Sequence, residues 1–255
     1  MNTLYCIIFF IIGINMGSFF TVIGMRLPKK ESFIDGRSHC DRCRHILSFF
    51  DMIPIISYIF LRGKCRYCKE KISPLSTYME LFTGILFLLS YYVFGISYEL
   101  FFSIGIVSLL IIISVSDISY YIIPDEILIF FSGYFLILIA LKDGVVSSLL
   151  SILSGLFLFG IMYLIMIIGN FLFKKESLGG GDIKMMFLFG ILLNPLLGIF
   201  SIFLGSFIAL PVSIFILLSK KNHLVPFGPF LLISLTLIYF TGLKIEMIFD
   251  FIKLL

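Results

Sequence analysis

Four of the five cysteines form two Cys-x-x-Cys pairs, Cys40-Asp41-Arg42-Cys43 and Cys65-Arg66-Tyr67-Cys68, with 21 residues between them. Each such turn presents two thiolates to one corner of a tetrahedron, and four sulfur donors favour Zn²⁺ among common metals. A site closed by four thiolates has no position for a water, so the zinc reads as structural. Two disulfides are the competing reading and would need an oxidising compartment. His39 and His45 flank the first pair and, with four cysteines at hand, read as surface residues. Cys6 lies in an apolar run and reads as a small buried hydrophobe.

The second group with chemical potential is acidic. Asp117 follows the apolar run 104–115, and Asp182 precedes the apolar run 183–193. An aspartate near a span is costly in lipid, roughly 2.5–3.5 kcal/mol at a helix centre, and usually has a functional or pairing reason. Two carboxylates at one depth can share an acid/base task, one activating water while the other stays protonated, which is chemistry that hydrolyses amides. Leu178-Gly179-Gly180-Gly181-Asp182 suits an irregular segment beside a cavity at membrane depth. Around the first acid, Pro124 fits the first turn of the next helix, and Asp125 and Glu126 fall where a helix dipole favours negative charge. From the residues alone, Asp117 and Asp125 are equally placed to pair with Asp182.

These groups must be positioned by helices in a bilayer. Of 255 residues, 60% are hydrophobic and 13% charged, with 31 Phe and no Trp. That is far from the roughly quarter-charged composition of soluble domains. Apolar runs predict spans at Leu4–Met25, Leu75–Gly95, Leu100–Val115, Ile122–Leu141, Val145–Phe173, Ile183–Leu193, Leu196–Leu218 and Leu224–Thr241. The predicted fold is therefore an all-α polytopic membrane protein of about eight transmembrane helices with a small cytoplasmic zinc-binding module at 26–74. Residues 1–95 form one predicted part, with the module between the first two spans, and 96–255 the other, holding both aspartates. The start of the chain has no basic region ahead of its apolar run, so the first span reads as retained.

Eleven of the 19 Lys and Arg lie between Arg26 and Lys71. With the N-terminus outside, 16 of the 19 fall on the cytoplasmic side, including Lys174, Lys175, Lys184, Lys220 and Lys221, and only Lys142, Lys244 and Lys253 fall outside. The net charge of +4 is thus a topology signal and not a nucleic-acid footprint. An ion pathway or transporter would place acids near the bilayer midplane and show internal repeats, and neither is present. A scaffold with a zinc module would leave both aspartates unexplained.

Gly179-Gly180-Gly181-Asp182-Ile183-Lys184 resembles the GxGDxK signature of the type IV prepilin leader peptidases, and Asp117 with Pro124-Asp125 resembles their first aspartate motif. Gly17-Ser18-Phe19, Arg26-Leu27-Pro28, the two Cys-x-x-Cys pairs, Asp51-Met52-Ile53-Pro54, Gly63-Lys64-Cys65-Arg66 and Glu80 are similar to the long, bifunctional form of that family. The likeness runs from Gly17 to about Lys184. Where many members read Asn-Val before the Arg-Leu-Pro element, this chain has Thr21-Val22. The resemblance implies an aspartyl endopeptidase in the bacterial cytoplasmic (inner) membrane, with its active site at the cytoplasmic face. Asp117 and Asp182 would be its catalytic pair, with Gly179, Gly181, Lys184, Pro124 and Asp125 in support. Its substrates would be prepilins and pseudopilins arriving laterally from the lipid bilayer, their basic leaders met by Glu31, Asp35 and Asp51. It also implies methylation of the new N-terminus with S-adenosylmethionine, for which Arg26, Asp51 and Glu80 are candidate binding residues.

Overall fold

The computed structural model describes residues 3–33, 38–40, 42–174, 178–218 and 225–244. Asp35, Asp41, Lys175, Lys220, Lys221, Leu224 and Lys253 lie outside them. The described residues form helices and turns, with two isolated antiparallel β-bridges and no strand. They divide into two compact units, Met1–Ile96 and Ser97–Leu255.

In the first unit α1 (Thr3–Arg26) packs along α3 (Leu75–Phe94). The approach is close because glycines meet backbone. A Cβ on Gly13 would stand 2.8 Å from Gly84 Cα, and one on Gly17 would stand 2.9 Å from Glu80 Cα. Gly13 and Gly17 are spaced as a GxxxG motif, the pattern by which helices in lipid gain packing contact where the hydrophobic effect supplies no drive. The segment joining α1 to α3 contains a 3-10 turn at Leu27–Lys29, another at Phe49–Asp51 and the short helix α2 (Ile56–Phe60).

The second unit holds α4 (Tyr98–Tyr120), α5 (Asp125–Asp143), α6 (Val145–Phe173), α7 (Gly180–Leu192), α8 (Pro195–Leu218) and α9 (Gly228–Thr241). α4 is the axis of this unit. Its most apolar stretch is 83% buried, against 17% in α6 and in α8, so those two helices present their side chains outward as lipid-facing spans do. α5 and α9 pack against α4, and α7 packs on α6. The α6–α7 contact again depends on glycine, since a Cβ on Gly190 would lie 2.6 Å from Gly155 Cα.

Helices occupy all eight predicted apolar runs, but five of them, α1, α3, α4, α6 and α8, are long and apolar enough to cross a membrane. α7 and α9 have 13 and 14 residues, about 20 Å at 1.5 Å per residue against a hydrocarbon core of about 30 Å. α5 carries Asp125 and Glu126 in its first turn and Lys142 in its last. Its start also differs from the predicted Ile122. Tyr121 closes α4 in the left-handed region at φ 55°, and the Ser116 hydroxyl donates to the Ile122 carbonyl, so 122–124 form an extended link and Pro124 is the cap before α5 instead of part of its first turn. Cys6 is half-buried.

Candidate active site and zinc module

Asp117 sits in the last turn of α4 and Asp182 in the first turn of α7, respectively 6% and 9% exposed. α4 is buried along its length, so the carboxylate at its end is carried into the unit's interior, while Gly179 caps α7 in extended conformation and Asp182 follows three residues later. The two carboxylates lie on elements that meet at Ile123. Their surroundings differ. Asp117 Oδ2 accepts a hydrogen bond of 3.0 Å from the backbone N–H of Gly228 at the start of α9. Asp182 Oδ1 is buried and has no hydrogen-bond partner among the described residues. A buried acceptor left unpaired costs about 1–3 kcal/mol unless something is there to donate to it.

Ile123 lies between the elements that carry these groups. A Cβ on Gly181 would stand 2.8 Å from Ile123 Cβ, and a Cβ on Gly228 would stand 3.0 Å from Asp117 Oδ2 and 3.3 Å from Ile123 Cδ1. Gly181 therefore lets α7 approach the link after α4, as the glycine-rich segment suggested. Gly179 is more open, with Asp182 Oδ2 as its nearest neighbour at 3.2 Å from a built Cβ.

Asp125 occupies a different environment from Asp117. It is half-exposed and takes both of its oxygens to Lys184 Nζ at 2.7 and 2.8 Å. The pair joins the first turn of α5 to α7 and borders an apolar cavity of about 500 Å³ between α5, α6 and α7. The sequence left Asp117 and Asp125 as equal partners for Asp182; of the two, Asp117 is the buried carboxylate, held by a backbone N–H, and Asp125 the half-exposed one held by a lysine. Gly228 is a residue of this site that the sequence reading passed over. It is 111 residues from Asp117, and the only local signal is a glycine between prolines in Pro226-Phe227-Gly228-Pro229 at a helix start.

In the first unit the two Cys-x-x-Cys pairs are one turn built twice, 25 residues apart. Cys40 N–H donates to the His45 carbonyl and Arg44 N–H to the Cys40 carbonyl, and Cys65 N–H donates to Glu70 and Lys69 N–H to Cys65 in the same pattern. Arg44 and Lys69 share positive φ of 58° and 62°. Bridges His39–Ile46 and Lys64–Lys71 close the turns. The four sulfurs all lie within 4.8 Å of one another, and Cys40 Sγ is 3.8 Å from Cys68 Sγ. Tetrahedral Zn–S bonds of about 2.3 Å separate sulfurs by about 3.8 Å, so this cluster fits one zinc ion. The histidines stay at the surface. His39 Nε2 is 3.1 Å from an Arg44 nitrogen, and His45 packs on the Tyr67 ring.

Asp51 braces the second turn from outside. Its nearly buried carboxylate accepts from the Ser48 hydroxyl (2.7 Å) and N–H (3.1 Å), Arg66 Nε (2.7 Å) and the Tyr67 hydroxyl (3.3 Å). Burial pushes this carboxyl up, but the Ser48 hydrogen bonds and the Arg66 guanidinium outweigh it and hold Asp51 below its ordinary range. Glu80, on α3, accepts the N–H of Ile55 (2.8 Å) and the Ser76 hydroxyl (3.1 Å). Ile55 is held at φ 61°, a costly conformation for a β-branched residue, and the buried carboxylate compensates it. Asp51 and Glu80 both line a half-open cavity of about 240 Å³, together with Ser18, Ser57, Ser76 and Thr77. Arg26 donates to the Ser32 carbonyl at 3.2 Å and is not among the cavity's lining residues.

Each of the two units matches a family of known proteins. The Bacterial Peptidase A24 N-terminal domain matches residues 11–94, and the Type IV leader peptidase family matches residues 104–214. A Bacillus subtilis protein named prepilin leader peptidase/N-methyltransferase is 35% identical over 241 residues, covering 92% of this chain and 94% of its own. The chain belongs to the type IV leader peptidase family. A Vibrio cholerae protein of the same name is 31% identical over 94% of this chain and 98% of its own, and one from Myxococcus xanthus is 32% identical over 77% and 59%. No solved structure matches at a significant level. This membrane-spanning leader peptidase homologue therefore pairs an N-terminal unit bearing a four-cysteine cluster with a C-terminal unit bearing two buried aspartates.

Proposed function

We propose that this protein is an aspartyl endopeptidase of the bacterial cytoplasmic membrane that removes the basic leader from prepilins or pseudopilins and methylates the N-terminus it exposes. The observation that carries the peptidase reading is a pair of buried carboxylates on elements that meet at Ile123, of which one, Asp182, has an oxygen with no protein partner among the described residues. A water between them is activated as its proton passes to one carboxylate. Its oxygen attacks the scissile carbonyl, the C–N bond breaks, and the leaving amine takes a proton from the other carboxylate. Gly181 lets α7 come close, Gly179 leaves room for the Asp182 carboxylate, and the Asp125–Lys184 pair, flanked by Pro124, fixes α5 against α7.

Eight crossings with the N-terminus outside, α5, α7 and α9 completing the five long spans, put both aspartates at cytoplasmic helix ends, where a substrate with a cytoplasmic leader would present its cleavage site. The distribution of Lys and Arg supports this orientation. The substrate's own apolar helix enters from the lipid, with the exposed Glu31 as a counter-charge to the leader, while Asp51, its side chain buried and paired with Arg66, is not available for that role.

For methyl transfer, the names of the relatives and the first unit's cavity, largely apolar with two carboxylates in its lining, support the reading. Asp51 and Glu80 give that cavity a negative lining suited to the positive end of S-adenosylmethionine, which would supply the electrophilic methyl group. At about 240 Å³ it lies below the roughly 300–1,000 Å³ of whole-ligand sites, so it would hold only part of the donor. The zinc cluster supports the fold of this unit and is not a reaction centre, since four thiolates complete the tetrahedron.

The test is reconstitution of purified protein in vesicles with a candidate prepilin and S-adenosylmethionine, read by mass spectrometry. A product shortened by the leader and carrying one methyl group on its new N-terminus is expected. An intact substrate would refute the peptidase reading, and a shortened but unmethylated product would refute the transferase.

A further inference from the structure

We infer that Gly228, at the start of α9, is a positioning residue that holds Asp117 as the charged member of the aspartate pair and so assigns it the role of general base. This rests on the peptidase reading above and deepens it. α9 lies beyond residue 214, where the family match ends.

A backbone N–H can only donate, and the Gly228 N–H donates to Asp117 Oδ2 at 3.0 Å in a buried setting. A carboxylate that carries charge is the stronger acceptor for such a donor. The N–H belongs to the first turn of a 14-residue helix, but Asp182 likewise sits in the first turn of α7, so the helix ends favour charge on both and the distinction rests on the direct hydrogen bond. Asp182 Oδ1 has no donor among the described residues and stays available to substrate or to water. The two carboxylates are thus distinguished by one backbone group.

The residue type follows from the same contact. Any Cβ at 228 would stand 3.0 Å from Asp117 Oδ2, 3.3 Å from Ile123 Cδ1 and 3.4 Å from Ile113 Cγ2. The first atom a side chain would press on is the carboxylate oxygen itself. Pro226 and Pro229 bracket the glycine and restrict how the helix start can shift, since proline fixes its own φ and biases the residue before it.

Two measurements test this. In ¹⁵N-glycine-labelled full-length protein in micelles, the Gly228 amide proton should move upfield in Asp117→Asn, because a neutral acceptor replaces a charged one, and move less in Asp182→Asn. An amide that ignores Asp117→Asn would overturn the inference whether or not the protein cleaves anything, which keeps its failure separate from failure of the peptidase reading. In the cleavage assay, replacing Gly228 by glycolic acid during cell-free synthesis exchanges the N–H for an ester oxygen while adding no side chain, and it also weakens the Phe227 carbonyl that accepts from Phe230 and Leu231. It should lower kcat by about 10- to 100-fold with KM unchanged, the loss expected for one hydrogen bond to a charged group. Gly228→Ala should also lower kcat at constant KM, and Gly160→Ala, a helix glycine with open space around it, should leave both unchanged. An unchanged kcat in the glycolic acid protein, or a raised KM with kcat intact, would overturn the assignment.

Discussion

Asp51 holds no zinc, yet removing it should loosen the metal. Its carboxylate ties Ser48, at the 3-10 turn before α2, to Arg66 and Tyr67, the two residues between Cys65 and Cys68. Asp51→Ala deletes four hydrogen bonds to a charged group. Two donors, however, keep access to water, because the Arg66 side chain is 50% exposed and Tyr67 is 43% exposed. They leave no orphaned group behind, and the half-exposed ion pair contributes little by itself. Partners of metal ligands generally contribute 10–100-fold in affinity, so the loss here should fall at the low end, about tenfold. Competition of purified protein against a chromophoric zinc chelator reads it directly. The sign with pH is also fixed. Asp51 is held below its ordinary range, so its contribution is present above about pH 4 and is lost only as pH falls through the lower folded value. The tenfold gap between wild type and Asp51→Ala should therefore persist from pH 5 to pH 8. Equal zinc affinity for the two proteins would refute the bracing role, and a gap that closes between pH 8 and pH 5 would refute the ionisation argument.

Two further outcomes follow from the first unit. Purified protein should carry about one zinc per chain, and Cys65→Ser, at the most buried of the four ligands, should lose most of it on metal analysis. Gly17→Val should destabilise the α1–α3 pair by about 1–3 kcal/mol, read as a lower thermal midpoint in detergent, since its side chain would meet Glu80 Cα and the Thr83 side chain. A Gly17→Val protein as stable as wild type would show that the helices are held apart from the closeness described.

What could be read from sequence was mostly what is local. The knuckles were legible because both cysteines of each turn, their bonded carbonyls and their left-handed residues lie within six positions. Helix existence was legible from apolar length. The start of α5 was displaced from Ile122 to Asp125 by a hydroxyl of the preceding helix and a left-handed cap at Tyr121, which hydropathy does not record. The choice between Asp117 and Asp125 depended on exposure and on a lysine 59 residues away, and neither has a signature in the run around them. Glu80 stood out as a family-like acid, but its service to the strained Ile55 N–H, 25 residues distant, comes from tertiary packing. Gly228 was out of reach for the same reason, as its partner is on another helix.

Leader cleavage by the aspartate variants tests the central claim most directly. Wild type, Asp117→Asn, Asp182→Asn and Asp125→Asn, each confirmed as inserted and zinc-loaded, are compared on one prepilin in a cell lacking other leader peptidases. Asparagine preserves shape and removes the proton-transfer group, so either Asp117→Asn or Asp182→Asn should reduce cleavage by at least about 10²–10⁴-fold, while Asp125→Asn, which loses a half-exposed pair with Lys184, should retain most of it. Near-normal cleavage by either Asp117→Asn or Asp182→Asn, or a loss confined to Asp125→Asn, would contradict the account.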